Sequence, residues 1–213
     1  MRTAGLIACV FGGLLAPAAG AATFSARDTP QGMLIERGGG QTGRLVPNGW
    51  FRRPGDPTYV YREGGAVVAA VWDTAPDAAV VRSGSKADAP LIGRIVPKWK
   101  DDTELELTIA PADGAAFRTS VFTRDSGGGP TALDRSSSTR EALQGSYRAT
   151  ITTADGKTVG WMGVDIDPQG GTRFTGDLPP AIPPALAAAA AAAIDGEVDL
   201  IYGSVVDVSP LRR

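Results

Sequence analysis

The chain has 213 residues, with 21 Lys and Arg against 23 Asp and Glu and a formal net charge of −2. It contains no histidine and one cysteine, Cys9, which excludes Ser-His-Asp triads, Cys/His zinc sites and internal disulfides. The slightly acidic balance argues against nucleic-acid binding, and 43% apolar residues suffice for a sizeable core without a metal or a staple.

At the start, Met1-Arg2, the apolar run Leu6 to Leu15 and Ala19-Gly20-Ala21 make the three parts of a secretory signal over residues 1–22, with cleavage expected after Ala21 or Ala22. Removing Arg2 with it leaves 20 of the 21 basic residues against all 23 acidic ones, a net charge of −3, and no cysteine. Leu6-Ile7-Ala8-Cys9 also fits a lipobox, but so little apolar sequence precedes Cys9 that lipid anchoring there is the weaker alternative. The expected location is periplasmic or secreted, with membrane contact only through the signal if it is retained or lipidated.

Residues 23–123 read as a β-rich domain, since short β-branched runs alternate with Gly, Pro, Asp and Asn. Met33 to Ile35 and Arg44 to Val46 are the first two expected strands. Thr58 to Glu63 turns at Gly64-Gly65 into Ala66 to Trp72, whose continuous apolar run predicts a strand covered on both faces. Ala79 to Arg82, Leu91 to Val96, Thr103 to Ile109 and Ala116 to Thr123 complete the set, and Leu105, Leu107 and Ile109 mark the buried face of their strand. Gly43-Arg44-Leu45-Val46-Pro47 recurs as Gly93-Arg94-Ile95-Val96-Pro97, each copy shortly before a tryptophan. Duplicated β units and chance both remain open as its origin.

Val80-Val81-Arg82-Ser83-Gly84, a polar loop, Leu91-Ile92-Gly93-Arg94-Ile95 and Leu105-Glu106-Leu107 resemble the opening strands of bacterial SH3-like domains. The resemblance implies attachment to cell-wall peptidoglycan, but it stops at residue 107 and lacks the closing Gly-Trp strand.

Candidate ligand-binding residues are Trp50, Phe51, Arg52 and Arg53, in a segment rich in turn formers, and Lys98, Trp99 and Lys100 in the equivalent place of the second copy. Aromatic faces beside cations stack on sugars and pair with acidic groups, the chemistry of an anionic-glycan contact; the alternative is that both tryptophans seal the ends of a β core. No catalytic residues are assigned. Asp125-Ser126-Gly127-Gly128 has no histidine to act as base, Ser83-Gly84-Ser85-Lys86 lacks the accompanying Ser-Lys motifs, and Asp165 to Gly170 lacks the carboxylates of a calcium loop and reads as a hairpin turn. Asp101 with Glu104 is the pair considered for carboxylate-based glycoside hydrolysis.

Residues 124–142 read as a linker or long loop, and 143–213 as a β-β-β-α-β region that either forms a small α+β domain or completes the first sheet. Tyr147, Ala149 and Ile151 share one strand face; Met162, Val164 and Ile166 share another. Pro183-Pro184 opens an alanine helix, Asp195-Gly196 is expected to stop it, and a last strand is expected from Val198 to Val208. The helix is expected to cover one face of its own sheet, with Ala188 and Ala192 the partner-binding residues if it docks another protein instead.

The expected fold is therefore mainly β, a sandwich or barrel-like N-terminal region with a small α+β C-terminal part carrying one Ala-rich helix. The expected function is a non-enzymatic envelope module, without cofactor or metal, contacting cell-wall glycan or another envelope protein. A scaffold or inhibitor acting through the helix, and a carboxylate-based glycoside hydrolase, are the alternatives.

Overall fold

The computed structural model describes residues 22–38, 40–49, 53–74, 78–101, 103–125, 130–134, 143–167 and 171–205. Residues 1–21, which carry nearly all of the expected signal and Cys9, lie outside them.

Period-two runs become fourteen strands: β1 (Ala22–Arg27), β2 (Met33–Arg37), β3 (Gln41–Pro47), β4 (Tyr59–Glu63), β5 (Ala66–Thr74), β6 (Ala78–Ser83), β7 (Leu91–Lys100), β8 (Glu104–Pro111), β9 (Phe117–Thr119), β10 (Thr123–Asp125), β11 (Pro130–Ala132), β12 (Gly145–Thr152), β13 (Thr158–Asp167) and β14 (Gly171–Leu178). Neighbours pair antiparallel, β14 returns to β1, and β9 also pairs with β12. Twelve strands thus close a barrel, with β10 and β11 extending the sheet beside β12. The mainly-β expectation holds, and of the two architectures the barrel is realised. Residues 143–178 complete the sheet that begins at residue 22, and residues 124–142 include the last two residues of β10 and all of β11.

Inward positions are apolar: Phe24, Ile35, Leu45, Tyr61, Val81, Ile95, Leu105, Leu107, Ile109, Ile151, Met162 and Phe174 are at most 3% exposed. Their chain neighbours Ser25, Glu36, Arg44, Arg62, Arg94, Glu106, Thr150 and Arg173 face out. This is the reverse of the apolar-out pattern that a lipid-facing barrel needs.

An eight-stranded barrel is just filled by its own side chains. With strands about 4.8 Å apart and tilted, a twelve-stranded ring has a radius of roughly 12 Å, enough for a helix. That helix is α1 (Pro184–Val205). Ala187, Ala188, Ala189, Ala190 and Ala191 are each 0–1% exposed; at about 100° per residue, five successive positions sample every side of a helix. A helix that is apolar all round is a buried one. Instead of covering one face of a sheet, α1 touches β2, β3, β5, β6, β7, β8 and β14 from inside. The bulk comes from the wall and the small side chains from the helix, so the two fill the lumen together.

The helix starts as its prolines suggest, with the N–H groups of Leu186 and Ala187 donating to the Pro183 carbonyl at 3.0 Å. Arg37, at the end of β2, donates to the carbonyls of Pro179 (3.0 Å) and Ile182, fixing the approach to the helix. Burial holds its pKa below the usual arginine value, with the Tyr61 field acting the other way.

Asp195-Gly196 does not stop α1, and residues 198–205 are helical rather than a strand; Val206 to Val208 lie outside the described residues. Val198, 1% exposed, continues the buried side begun by Ile194 one turn earlier, and Glu197 accepts a hydrogen bond from Trp99. These tertiary contacts outweigh the roughly 1 kcal/mol that a glycine costs inside a helix.

Two smaller expectations change. β5 is not covered on both faces throughout: Ala69, Ala70 and Val71 are buried, but Ala66 and Val68 are exposed, because only part of the outer face is roofed by connecting loops. The strand expected from Ala116 to Thr123 is broken into β9 and β10, where Phe122 turns in and its N–H donates to the Leu105 carbonyl. Phe122, Leu133 and Leu143, all at most 1% exposed, add to the core beside this break.

Candidate functional site

Because successive strands alternate direction, the connections gather at two ends. The helix begins at the end that carries the tight turns Gly64-Gly65 and Ala154 to Lys157, and leaves at the opposite mouth, beside the β1–β2 and β3–β4 connections.

At that exit mouth a cleft of about 620 Å³ lies between the β1–β2 turn, the end of β3 and α1, within the range of small-ligand sites. Its apolar surface comes from Met33, Leu45, Tyr59 and Ala192, and its acidic groups are Asp28 and Asp195. The β1–β2 turn is closed on itself: Thr29 and Gly32 exchange backbone hydrogen bonds of 3.2 and 3.0 Å. Gly32 sits at φ 103°, where a Cβ would fall 2.4 Å from the Leu45 carbonyl oxygen.

Both acids meet one hydroxyl. Thr172, at the start of β14 and 4% exposed, lies 3.3 Å from Asp28 Oδ2 and contacts Asp195 Oδ1 more closely. With one proton to give, the hydroxyl ties the helix to β14, and both carboxylates line the cleft. Thr172→Val keeps the volume and deletes the donor, so urea unfolding should show a loss of about 1–2 kcal/mol; an unchanged midpoint would mean that this tie carries no stability.

Of the residues singled out from sequence, Trp50, Phe51 and Arg52 lie outside the described residues. Arg53 is exposed in the β3–β4 connection, its N–H bonded to Asp56 Oδ2 at 2.9 Å around Pro54-Gly55. Lys98, Trp99 and Lys100 are not in a loop but on β7, since pairing with Leu105, Glu106 and Glu104 extends that strand. Trp99 packs against the core and donates through Nε1 to Glu197 at 2.7 Å, and Lys100 pairs with Glu104 at 3.4 Å. Arg53 and the β7 group share the exit end, but the connection that carries Arg53 leads into β4, and β5 and β6 lie between β4 and β7. Ala188 is enclosed in the lumen, so a partner would have to enter the barrel to touch it; Ala192 is half-buried and lines the cleft. Of the Asp101–Glu104 pair, Glu104 is engaged by Lys100 and Asp101 holds a turn at φ 51°.

The cleft residues Asp28, Tyr59 and Asp195 were not legible as a group. Asp28 looks like a turn residue and Asp195 like a helix stop; they converge with Tyr59 only because β1 ends, β4 begins and α1 leaves at one mouth.

No family model matches the chain, and no curated protein or solved structure matches it either. β6, β7 and β8, which carry the likeness to SH3-like domains, are three consecutive strands of the larger barrel. Fold and site define the class by themselves: an antiparallel twelve-stranded barrel plugged by an alanine helix, with a ligand-sized cleft beside the plug.

Proposed function

We propose that the chain is a non-enzymatic binding module of a cell envelope, secreted or periplasmic, and that it holds a cell-wall glycan or glycopeptide fragment at the mouth from which the helix leaves. The observation that carries this is the cleft itself, which sets an aromatic ring and apolar side chains beside two carboxylates. Sugar faces pack on such a ring, and carboxylates accept from sugar hydroxyls and pair with the free ammonium groups of wall peptides. The secretory pattern at residues 1–22 and the absence of histidine point the same way.

Retention on insoluble peptidoglycan tests it. The combined Tyr59→Ala and Asp195→Asn variant should bind at least about ten-fold more weakly, equivalent to 1.4 kcal/mol, while still unfolding in one cooperative transition, at a lower temperature because Tyr59 packs on the core. Wild-type retention by the folded variant would sink the site.

Carboxylate-based glycoside hydrolysis has one observation in its favour, the convergence of Asp28 and Asp195 on Thr172, which brings two acids near the separation that such chemistry uses. The same incubations read for released reducing ends decide it: release that disappears with Asp28→Asn would replace the binding function with an enzymatic one.

A further inference from the structure

The outer wall carries a row of arginines that faces away from the helix and passes beside the rim of the cleft, Arg27 preceding Asp28 and Arg173 following Thr172 in the chain. Register sets Arg62 of β4 opposite Arg44 of β3, Arg44 opposite Leu34 of β2, Leu34 opposite Arg27 of β1, and Arg27 opposite Arg173 of β14. All five point outward, since their neighbours Tyr61, Leu45, Ile35, Ala26 and Phe174 are buried in the lumen. Strand spacing gives the row a length of about 19 Å.

Two of its steps, Arg62 with Arg44 and Arg27 with Arg173, place like charges directly opposite each other, which costs stability in a sheet. Elsewhere the same wall pairs opposite charges, as in Lys98 with Glu106 and Lys100 with Glu104. Arg62 donates to the Gly65 carbonyl at 3.0 Å and Arg44 to Gln31. Arg27 and Arg173 are exposed, and among the described residues neither has a hydrogen bond or ion pair. Between them the surface sinks into a groove of about 360 Å³ lined by Ser25, Leu34, Glu36 and Thr175. Two acids border the row, and each accepts a hydrogen bond from a serine: Glu36 from Ser25 at 3.3 Å, and Asp165, opposite Arg173, from Ser146 at 2.8 Å.

We propose that this row is a track for an anionic glycan, a flexible chain bearing carboxylate or phosphate groups, bound independently of the cleft at the mouth. Guanidinium forks match both groups bidentately, and the hydroxyls of Ser25 and Thr175 suit the sugar hydroxyls between them. Curvature selects the partner. Five of twelve strands subtend about 120° of the wall, so a flat bilayer or a stiff duplex meets only part of the row, whereas a flexible polymer follows it. Single-stranded nucleic acid relies on aromatic stacking, and the residue between the arginine pairs is Leu34.

Affinity of the full chain for polygalacturonate, measured at low and at physiological salt, tests the track. Arg27→Gln with Arg173→Gln should weaken binding at least ten-fold, and adding Arg44→Gln with Arg62→Gln should abolish it, with the salt dependence lost as well. The melting temperature should hold or rise, because the opposed charges are gone. Arg27→Lys with Arg173→Lys keeps the charge and loses the fork, so its affinity should fall between those of the wild type and the glutamine variant. The Tyr59→Ala and Asp195→Asn variant should bind polygalacturonate like the wild type, which separates failure of the track from failure of the cleft. No binding by the wild type at low salt, full binding by the four-arginine variant, or tighter binding of oligothymidylate or phosphatidylglycerol vesicles would each overturn the proposal.

Discussion

Ala188→Asp should abolish cooperative folding. Ala188 is fully enclosed between a helix and the wall of a barrel, where a carboxylate finds no water; the penalty is comparable with or larger than the roughly 5–15 kcal/mol that stabilises a whole domain. The variant should lose its near-ultraviolet circular dichroism and its sharp urea transition. Ala192→Asp, half-buried at the mouth, should change stability by no more than about 1 kcal/mol. The contrast reads the position of the helix directly. Were Ala188→Asp to fold with an unchanged transition and merely lose a binding partner, the helix would be a docking face and not a plug.

The second large effect comes from Gly43, whose inward side is occupied by the Tyr61 ring: a Cβ there would lie 2.0 Å from the Tyr61 hydroxyl oxygen and 2.3 Å from the ring carbon bearing it. In a filled lumen the ring has nowhere to swing, so Gly43→Ala should destabilise by about 2–3 kcal/mol. In a Tyr61→Leu background the same change should cost at least about 1 kcal/mol less, because the colliding atoms are gone. Equal costs in both backgrounds would mean that the ring is not where the clash arises.

Tyr61→Phe isolates the hydroxyl, which is buried and, among the described residues, meets no partner at good hydrogen-bond geometry, with Glu63 the nearest acceptor acting on it. Removing it should raise stability, since an unsatisfied buried polar group costs about 1–3 kcal/mol. Burial, and next the nearby Glu63 charge, hold the Tyr61 pKa above its ordinary value, with Arg37 acting the other way. The unfolded phenol titrates near pH 10, so the contribution from its raised pKa is intact below that pH and lost as the pH climbs beyond it. Tyr61→Phe should flatten that alkaline loss. Tyr147, whose pKa burial also raises, leaves a remainder of the same sign.

The recurring Gly-Arg-Leu/Ile-Val-Pro takes on a physical sense in the barrel. In β3 and β7 alike the glycine and the Leu or Ile face the lumen while the arginine faces out. Gly43 makes room for Tyr61, and Gly93 for the Ala110 carbonyl of β8 and for Leu186 of the helix. Both positions need a strand that something large can approach closely. The echo is thus a shared packing requirement, whatever its origin.

Much of the wall was readable in advance because a strand's inside and outside are local properties: Leu105, Leu107 and Ile109, or Met162, Val164 and Ile166, declare their buried face within one window. The track of arginines was present in the sequence too, but scattered over residues 27, 44, 62 and 173, and only strand register brings them into line. The cleft was hidden for the same reason.

By itself the sequence determined a chain that is mainly β, has no histidine, and carries one alanine helix begun at Pro183-Pro184. Tertiary structure alone decided that the strands close, that the helix runs inside them, and that it continues past Gly196. The physical reason is that alanine is ambiguous: its methyl group is compatible with a surface, an interface or a core, and its helix propensity says nothing about its surroundings. A ring of twelve strands too wide to fill itself resolves the ambiguity, because the helix completes its core.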